Sequence, residues 1–307
     1  GRPSTARSGQ VTLLSGGTGG AKLARGLAEL GDLTVVANTG DDAEVYGVHV
    51  APDPDLLTYW LAGEIDERGY GLSGDTWEVM EALERAGRPT WFRLGDRDLS
   101  MCLIRTEELR RGARLTDAHA QVVEAMGVST PVLPMTDEPA PTRVLAAGRW
   151  WDLQEFMIVN RAQGPVEDVD LAGVSSAGPT PEVLDAIASA ETVVIGPSNP
   201  VISIGPILAL PGMHEALVST PAPVVAVSPF VEGEVLKGPT AAFCQHAGIA
   251  QSAQGIAEAY EEVIDGVVGD DPVTSLPALE TDTRMDDLGS MTGVARKTLD
   301  FAASLRR

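Results

Sequence analysis

Two cysteines, Cys102 and Cys244, are all that the chain of 307 residues contains. They form no CxxC pair and supply no disulfide framework, so a reducing cytoplasm is the expected compartment. Four histidines, His49, His119, His214 and His246, lack metal-ligand spacing, which argues against a zinc site. No run of 18 apolar residues occurs, so no membrane span is expected. The opening "GRPSTARSGQ" lacks the apolar core of a signal peptide, and residues 1–9 read as a disordered tail. Basic residues are scarce: 22 Lys and Arg face 44 Asp and Glu, for a formal net charge of −22. That balance excludes nucleic acid as a partner. It also means that an anionic ligand must be held locally, by backbone amides, a few basic side chains or a divalent ion.

What the chain does carry is an α/β pattern. Residues 11–15 read as a strand, 20–30 as an amphipathic helix and 33–37, "LTVVA", as a β-branched buried strand. This βαβ opening implies a parallel sheet and a right-handed crossover. Residues 56–130 read as a helical insertion; the short strand-like runs from 130, "TPVLPM", "TRVLAA" and "GRWWDLQEFMI", read as an antiparallel extension. "ETVVIGPSNP" and "PVVAVSPF" are further buried strands, and two helical segments close the chain. With no internal repeat and no linker, residues 10–307 are expected to form a single α/β domain: a Rossmann-like, mostly parallel sheet flanked by helices.

Four constellations carry candidate chemistry. The first is "LLSGGTGGAK", with Gly16, Gly17, Thr18, Gly19, Gly20 and Lys22 between the first strand and the first helix. Such a turn presents N–H groups at a helix N-terminus, where an anion is stabilised, and glycine lets a phosphate lie against the main chain. A tight turn with no ligand would also use glycine. The loop is not a dinucleotide fingerprint, because Lys22 stands at the third glycine and Asn38 replaces the acid after the second strand; it is no Walker A loop either. The second is the pair of acidic turns, Asp41-Asp42 and Asp53-x-Asp55, each after a strand-like segment. Carboxylates gathered at the carboxyl edge of a sheet repel one another unless a cation such as Mg²⁺ lies between them, although Asp is also an ordinary turn and cap residue. The third is "WFRLGDRDLS", with Arg93 and Arg97 as phosphate or ring contacts or as members of a salt-bridged loop. The fourth is "GPSNPVISIGPILALPG", where a proline-bracketed turn presents Ser198 and Asn199.

In this order, "SGGTGGAKLARGL", "NTGDD", "PDPD", "GLSGDTW", "WFRLGDRDL", "PMTDEP", "LQEF" and "GPSNPVISIGPILALPG" resemble the 2-phospho-L-lactate transferase family of coenzyme F-420 biosynthesis, whose actinobacterial members use a phosphoenolpyruvyl group. The resemblance covers about residues 11 to 240. It implies a magnesium-dependent phosphotransferase, working as a homodimer. A guanylylated phospho-acid reacts with the terminal ribityl hydroxyl of the deazaflavin Fo (7,8-didemethyl-8-hydroxy-5-deazariboflavin), and GMP leaves. The resemblance then implies deazaflavin contacts from Asp55 and Arg93. The glycine loop, Lys22, Arg97, Ser198 and Asn199 would hold the nucleotide and diphosphate. Asp41, Asp42 and Asp53 would hold Mg²⁺, and Asp41 or Asp55 would steer or deprotonate the hydroxyl. One departure is Cys102, which stands where the family commonly has histidine; another is "GYG" at 69–71 for the usual "GWG". The alternatives are a non-catalytic nucleotide-sugar-binding regulator on the same scaffold, and an NAD-dependent oxidoreductase, which Lys22 and Asn38 disfavour.

Overall fold

The computed structural model describes residues 8–231 and 239–305. In chain order the strands are β1 (Ser8–Ser15), β2 (Gly31–Ala37), β3 (Ala43–Val45), β4 (Val48–Val50), β5 (Val132–Pro134), β6 (Arg143–Ala146), β7 (Arg149–Asp152), β8 (Asp168–Asp170), β9 (Thr192–Ile195), β10 (Val224–Val227), β11 (Gly266–Gly269) and β12 (Ala278–Glu280). The helices are α1 (Gly17–Ala28), α2 (Pro52–Ala62), α3 (Glu78–Arg85), α4 (Asp96–Arg110), α5 (Leu115–Ala125), α6 (Leu153–Ile158), α7 (Pro181–Ala188), α8 (Ile204–Leu208), α9 (Met213–Ser219), α10 (Thr240–Ala247), α11 (Ala253–Ala259) and α12 (Leu288–Ser304).

Seven strands form one sheet in the order β12-β11-β10-β9-β1-β2-β5. Every pairing in it is parallel. The sequence explains this. "TVVI" and "VVAV" are buried at every position, as strands covered on both faces must be. Side chains then alternate between two cores. Val193 and Ile195 of β9 join Leu14, Val36 and Val224 under α7, α8, α9 and α11. Val194 joins Leu13, Val35 and Val225 under α1, α2 and α12.

The chain starts in the middle of the sheet. From β1 it builds outward through β2 and β5, then returns to the other side of β1 and builds outward again through β9 to β12. The direction of winding therefore reverses between β1 and β9. The connections leaving two such strands diverge and open a crevice at their carboxyl ends, where open α/β sheets bind ligands.

Several expectations change in detail. The first strand begins at Ser8, inside the stretch read as a tail, and residues 1–7 lie outside those described. "TPVLPM" belongs to the main sheet: β5 pairs parallel with β2, with Val132 in the core under α1, α2 and α12 and Leu133 packed against the opposite one. The antiparallel extension is the three-stranded sheet β7-β6-β8. In residues 56–130 the regular structure is helical, α2 to α5 joined by loops, apart from one isolated bridge, Ile65 to Leu72. The "PDPD" turn does not follow a strand of the main sheet. It follows β4 of the small antiparallel hairpin β3-β4 and opens α2, whose first turn suits Pro and Asp. No helix among the described residues is long and apolar enough to cross a membrane.

Candidate active site

The rim of the crevice is made by the turns that leave β1 and β9. Ser198 ties them together: its Oγ donates to the Gly16 carbonyl and accepts from the Gly16 N–H at 3.4 Å. Gly17 takes φ +63°, the left-handed region that favours glycine. At Gly19 a Cβ would collide with the Pro197 carbonyl oxygen. The missing side chains are thus explained in part by the protein itself, since the β9 turn lies against the α1 backbone. Asn199 is likewise occupied locally: its Oδ1 accepts from the N–H groups of Val201 at 2.8 Å and Ile202 at 3.1 Å, and its Nδ2 is 3.5 Å from Thr240 Oγ1. Thr18 is exposed at the first turn of α1, whose leading N–H groups have no acceptor within the helix. Lys22, one turn on, sets its ammonium 6.0 Å from the centre of the Trp60 ring.

Beside this rim lie the aspartates. The hairpin β3-β4 delivers Asp53 to the start of α1, where its Oδ1 accepts the Gly17 N–H at 3.0 Å. Asn38, at the end of β2, links it to Asp41. The Asn38 amide donates to Asp53 Oδ2 at 2.9 Å, to Asp41 Oδ1 at 3.4 Å and to the Ile202 carbonyl at 3.2 Å. Two amide hydrogens thus serve three oxygens. Gln154 of α6 reaches Asp41 Oδ2 at 3.2 Å. Burial, and then the charge of Asp53, push the Asp41 carboxyl well above its ordinary range. Burial also pushes Asp53 up to about 6, against the bonds from Asn38 and Gly17. Asp42 turns away: its Oδ2 lies 2.9 Å from His49 Nε2, and its Oδ1 is buried with no partner among the described residues.

The donor chemistry fits a hard cation at Asp41 and Asp53. Both are oxygen ligands, both are pushed up by burial and by neighbouring carboxylates, Asp53 beside Asp41 and Asp42 beside Asp53, and their lone pairs outnumber the available hydrogens. Among the described residues, the three Asp, Glu, His or Cys side chains whose ligand atoms all lie within 4.8 Å of one another are instead Asp55, Asp98 and Cys102. That set does not suit Mg²⁺. Both oxygens of Asp55 are bound by Arg105, at 2.6 and 2.9 Å. The Cys102 thiol is buried, and burial with the charge of Asp55 raises its pKa, so it stays protonated.

Next to the aspartates opens a cleft of about 920 Å³. Tyr70, Trp77, Trp91, Phe92, Met157 and Ile158 give it flat apolar walls, while Asp55, Tyr59 and Asp98 bring polar atoms to it. Arg93 and Arg68 lie over the Trp77 ring, 5.2 and 5.7 Å from its centre. Arg93 also pairs with Glu84 at 2.6 Å. Of the positions expected from the sequence, Asp53, Asp55 and Arg93 line this cleft. Arg97 does not: it is exposed, with its guanidinium on Glu64 and the Ser73 carbonyl.

Residues that the sequence reading passed over do much of the positioning. Asn38 organises two carboxylates, although its place after β2 had marked it only as a missing acid. Arg105 is fully buried, holds Asp55 with two nitrogens and donates to the His49 carbonyl at 2.8 Å. Nothing local in "MCLIRTEELR" marks this arginine as buried, since its partner lies 50 residues away. Trp77 and Gln154 stood in two segments of the family resemblance, "GLSGDTW" and "LQEF", to which no role was attached.

A family model described as "2-phospho-L-lactate transferase CofD" matches residues 11–291. The 2-phospho-L-lactate transferase of Methanosarcina mazei is 39% identical over 265 residues, 85% of this chain and 87% of that protein. The enzyme of the same name from Methanopyrus kandleri is 36% identical over 96% of this chain and 98% of its own length. The phosphoenolpyruvate transferase of Streptomyces coelicolor is 35% identical over 97% of this chain and 99% of its own. Among solved structures, a UPF0052-family protein of Bacillus halodurans superposes with a TM-score of 0.61, covering 96% of this chain and 99% of that one at 16% identity, which shows a shared fold. With the family model spanning almost all of the described residues, the chain belongs to the CofD family of 2-phospho-L-lactate transferases.

Proposed function

We propose that this protein transfers a phospho-acid from a guanylylated diphosphate donor to the terminal ribityl hydroxyl of Fo, releasing GMP, in coenzyme F-420 biosynthesis. One juxtaposition carries the reading. A glycine-opened helix N-terminus, a pair of under-compensated aspartates and a flat aromatic cleft meet at the switch point of the sheet. An anionic diphosphate, a divalent ion and a planar ring each match one of them.

In this reading the first turn of α1 and Lys22 receive the diphosphate. Asp41 and Asp53 would hold Mg²⁺, which supplies charge neutralisation on the diphosphate oxygens. The deazaflavin ring stacks between the aromatic walls of the cleft, with Arg93 at its edge. The ribityl hydroxyl is then aimed at the acid-bearing phosphorus. Its oxygen forms the new P–O bond, the bond to the GMP phosphate breaks, and the hydroxyl proton passes to a carboxylate. That carboxylate is Asp41 rather than Asp55, because Arg105 occupies both oxygens of Asp55.

The relatives' names divide between lactate and enolpyruvate, so both guanylylated donors are to be offered to the enzyme with Fo, and the products weighed by mass spectrometry. Asp41→Asn is expected to lower kcat by about 100-fold or more, as loss of a positioned base does, with Fo affinity little changed. Full turnover by this variant would remove Asp41 from the mechanism. Turnover by the wild type in excess chelator would remove the metal.

A further inference from the structure

Among the described residues, the cleft holds one carboxylate oxygen that the protein leaves open. Of its carboxylates, Asp55 is taken by Arg105; the Gln154 amide nitrogen is turned to Asp41. Asp53 serves Gly17 and Asn38. Asp75 caps the start of α4, accepting from the N–H groups of Arg97 at 2.8 Å and Asp98 at 3.1 Å. Asp98 differs. Its Oδ1 accepts the Tyr59 hydroxyl at 2.7 Å, which fixes the carboxyl plane, while no described residue bonds to its Oδ2. The α4 cap and the Tyr59 bond hold that oxygen in place beside apolar rings. A ring that covers the cleft displaces the water at that oxygen, and an acceptor among such walls is then costly unless the ring donates to it.

We propose that Asp98 is a specificity-determining residue of the cleft, its open oxygen accepting a hydrogen bond from a ring N–H of the acceptor substrate, the imide edge of a pyrimidinedione. The inference rests on the reading of the cleft as the seat of the deazaflavin alcohol. Stacking alone accepts any flat ring of the right width; one fixed acceptor selects rings with a donor at the matching edge. Tyr59 acts as the positioning residue. The charged and titratable groups around Asp98 are Asp55, Asp75, Arg105, Arg93, Arg68, Tyr59 and Cys102. Burial and the Asp55 charge push Asp98 up to about 7, and the Tyr59 bond and Arg105 pull the other way. The stronger, ionised acceptor therefore grows in as the pH rises through neutrality.

The test is a fluorescence titration with Fo and with Fo methylated at the imide nitrogen. Wild-type protein is expected to prefer Fo by about 10- to 100-fold, the worth of a hydrogen bond to a charged group. Asp98→Ala should shrink that preference below about threefold, and Asp98→Asn should flatten its rise between pH 6 and 8. The ligand's own titration cancels in this comparison of variants. Melting curves and binding of the methylated ring establish that each variant is folded with an intact cleft. Equal wild-type affinity for the two rings, or a preference that survives in Asp98→Ala, overturns the proposal. Failure of wild-type protein to bind either ring overturns the reading of the cleft itself, and the inference with it.

Discussion

Replacing Arg105 by alanine tests the physical account of the site most directly. Arg105 is fully buried and Asp55 is 4% exposed. The guanidinium donates two hydrogen bonds to Asp55, one to the His49 carbonyl and a longer one, of 3.8 Å, to the Cys102 sulfur. The pair as a whole contributes little, because desolvation offsets its attraction. Removing one member is another matter: it strands Asp55 among Asp98 and buried apolar groups, and uncompensated charges of this kind cost about 3–5 kcal/mol. For a chain of this size roughly 2 °C of melting temperature accompanies each kcal/mol, so Arg105→Ala should melt about 6–10 °C below the wild type. The assay is thermal unfolding by circular dichroism without ligands, checked by urea titration. A second substitution separates stranded charge from lost packing. Asp55→Asn, added to Arg105→Ala, should recover about half the loss, because an amide is far less costly to bury than an unpaired carboxylate. A melt within about 2 °C of wild type for Arg105→Ala, or a double variant no better than the single one, refutes the reasoning.

Two further outcomes follow from the aspartates and the glycine turn. Asp41 and Asp53 both titrate above the ordinary carboxylate range of about 3.9. Their protonation therefore favours the metal-free fold at low pH, and that contribution fades as the pH rises through about 6, the value for Asp53. Mg²⁺ competes with those protons, so it should raise the melting temperature more at pH 7.5 than at pH 5.5, and Asp53→Asn should lose most of the gain; an equal gain at both pH values contradicts this. Gly19→Ala must push the Pro197 carbonyl away from α1. Differential scanning fluorimetry should show a loss of about 1–3 kcal/mol, as overpacking brings, with weaker GDP binding. A variant as stable as wild type would show that the two turns can part freely.

Much of the scaffold was legible without coordinates. Continuous β-branched runs such as "TVVI" and "VVAV" are buried on both faces, and a strand of that kind belongs in a parallel sheet between helices. The glycine turn announced a close approach, though the structure shows the β9 turn to be one of the parties. Short segments misled. "VLP" of β5 holds three residues, too few for periodicity to place it in the main sheet; β12, also of three residues, and β11, whose "GVVG" is half glycine, went unnoticed. Arg97 and Arg105 both lie on α4, yet the one that reads as a phosphate contact points to Glu64, and the unremarked one holds the site.

The sequence by itself determined the fold class, the family and the residue types at the crevice, because local pattern and motif order depend on neighbours along the chain. Only the tertiary structure decided which carboxylates keep an open oxygen. Partners 15 to 50 residues apart in the chain, such as Asn38 with Asp53 and Arg105 with Asp55, consume or spare those lone pairs. Burial then sets their charge, and burial belongs to the packed molecule rather than to any stretch of its sequence.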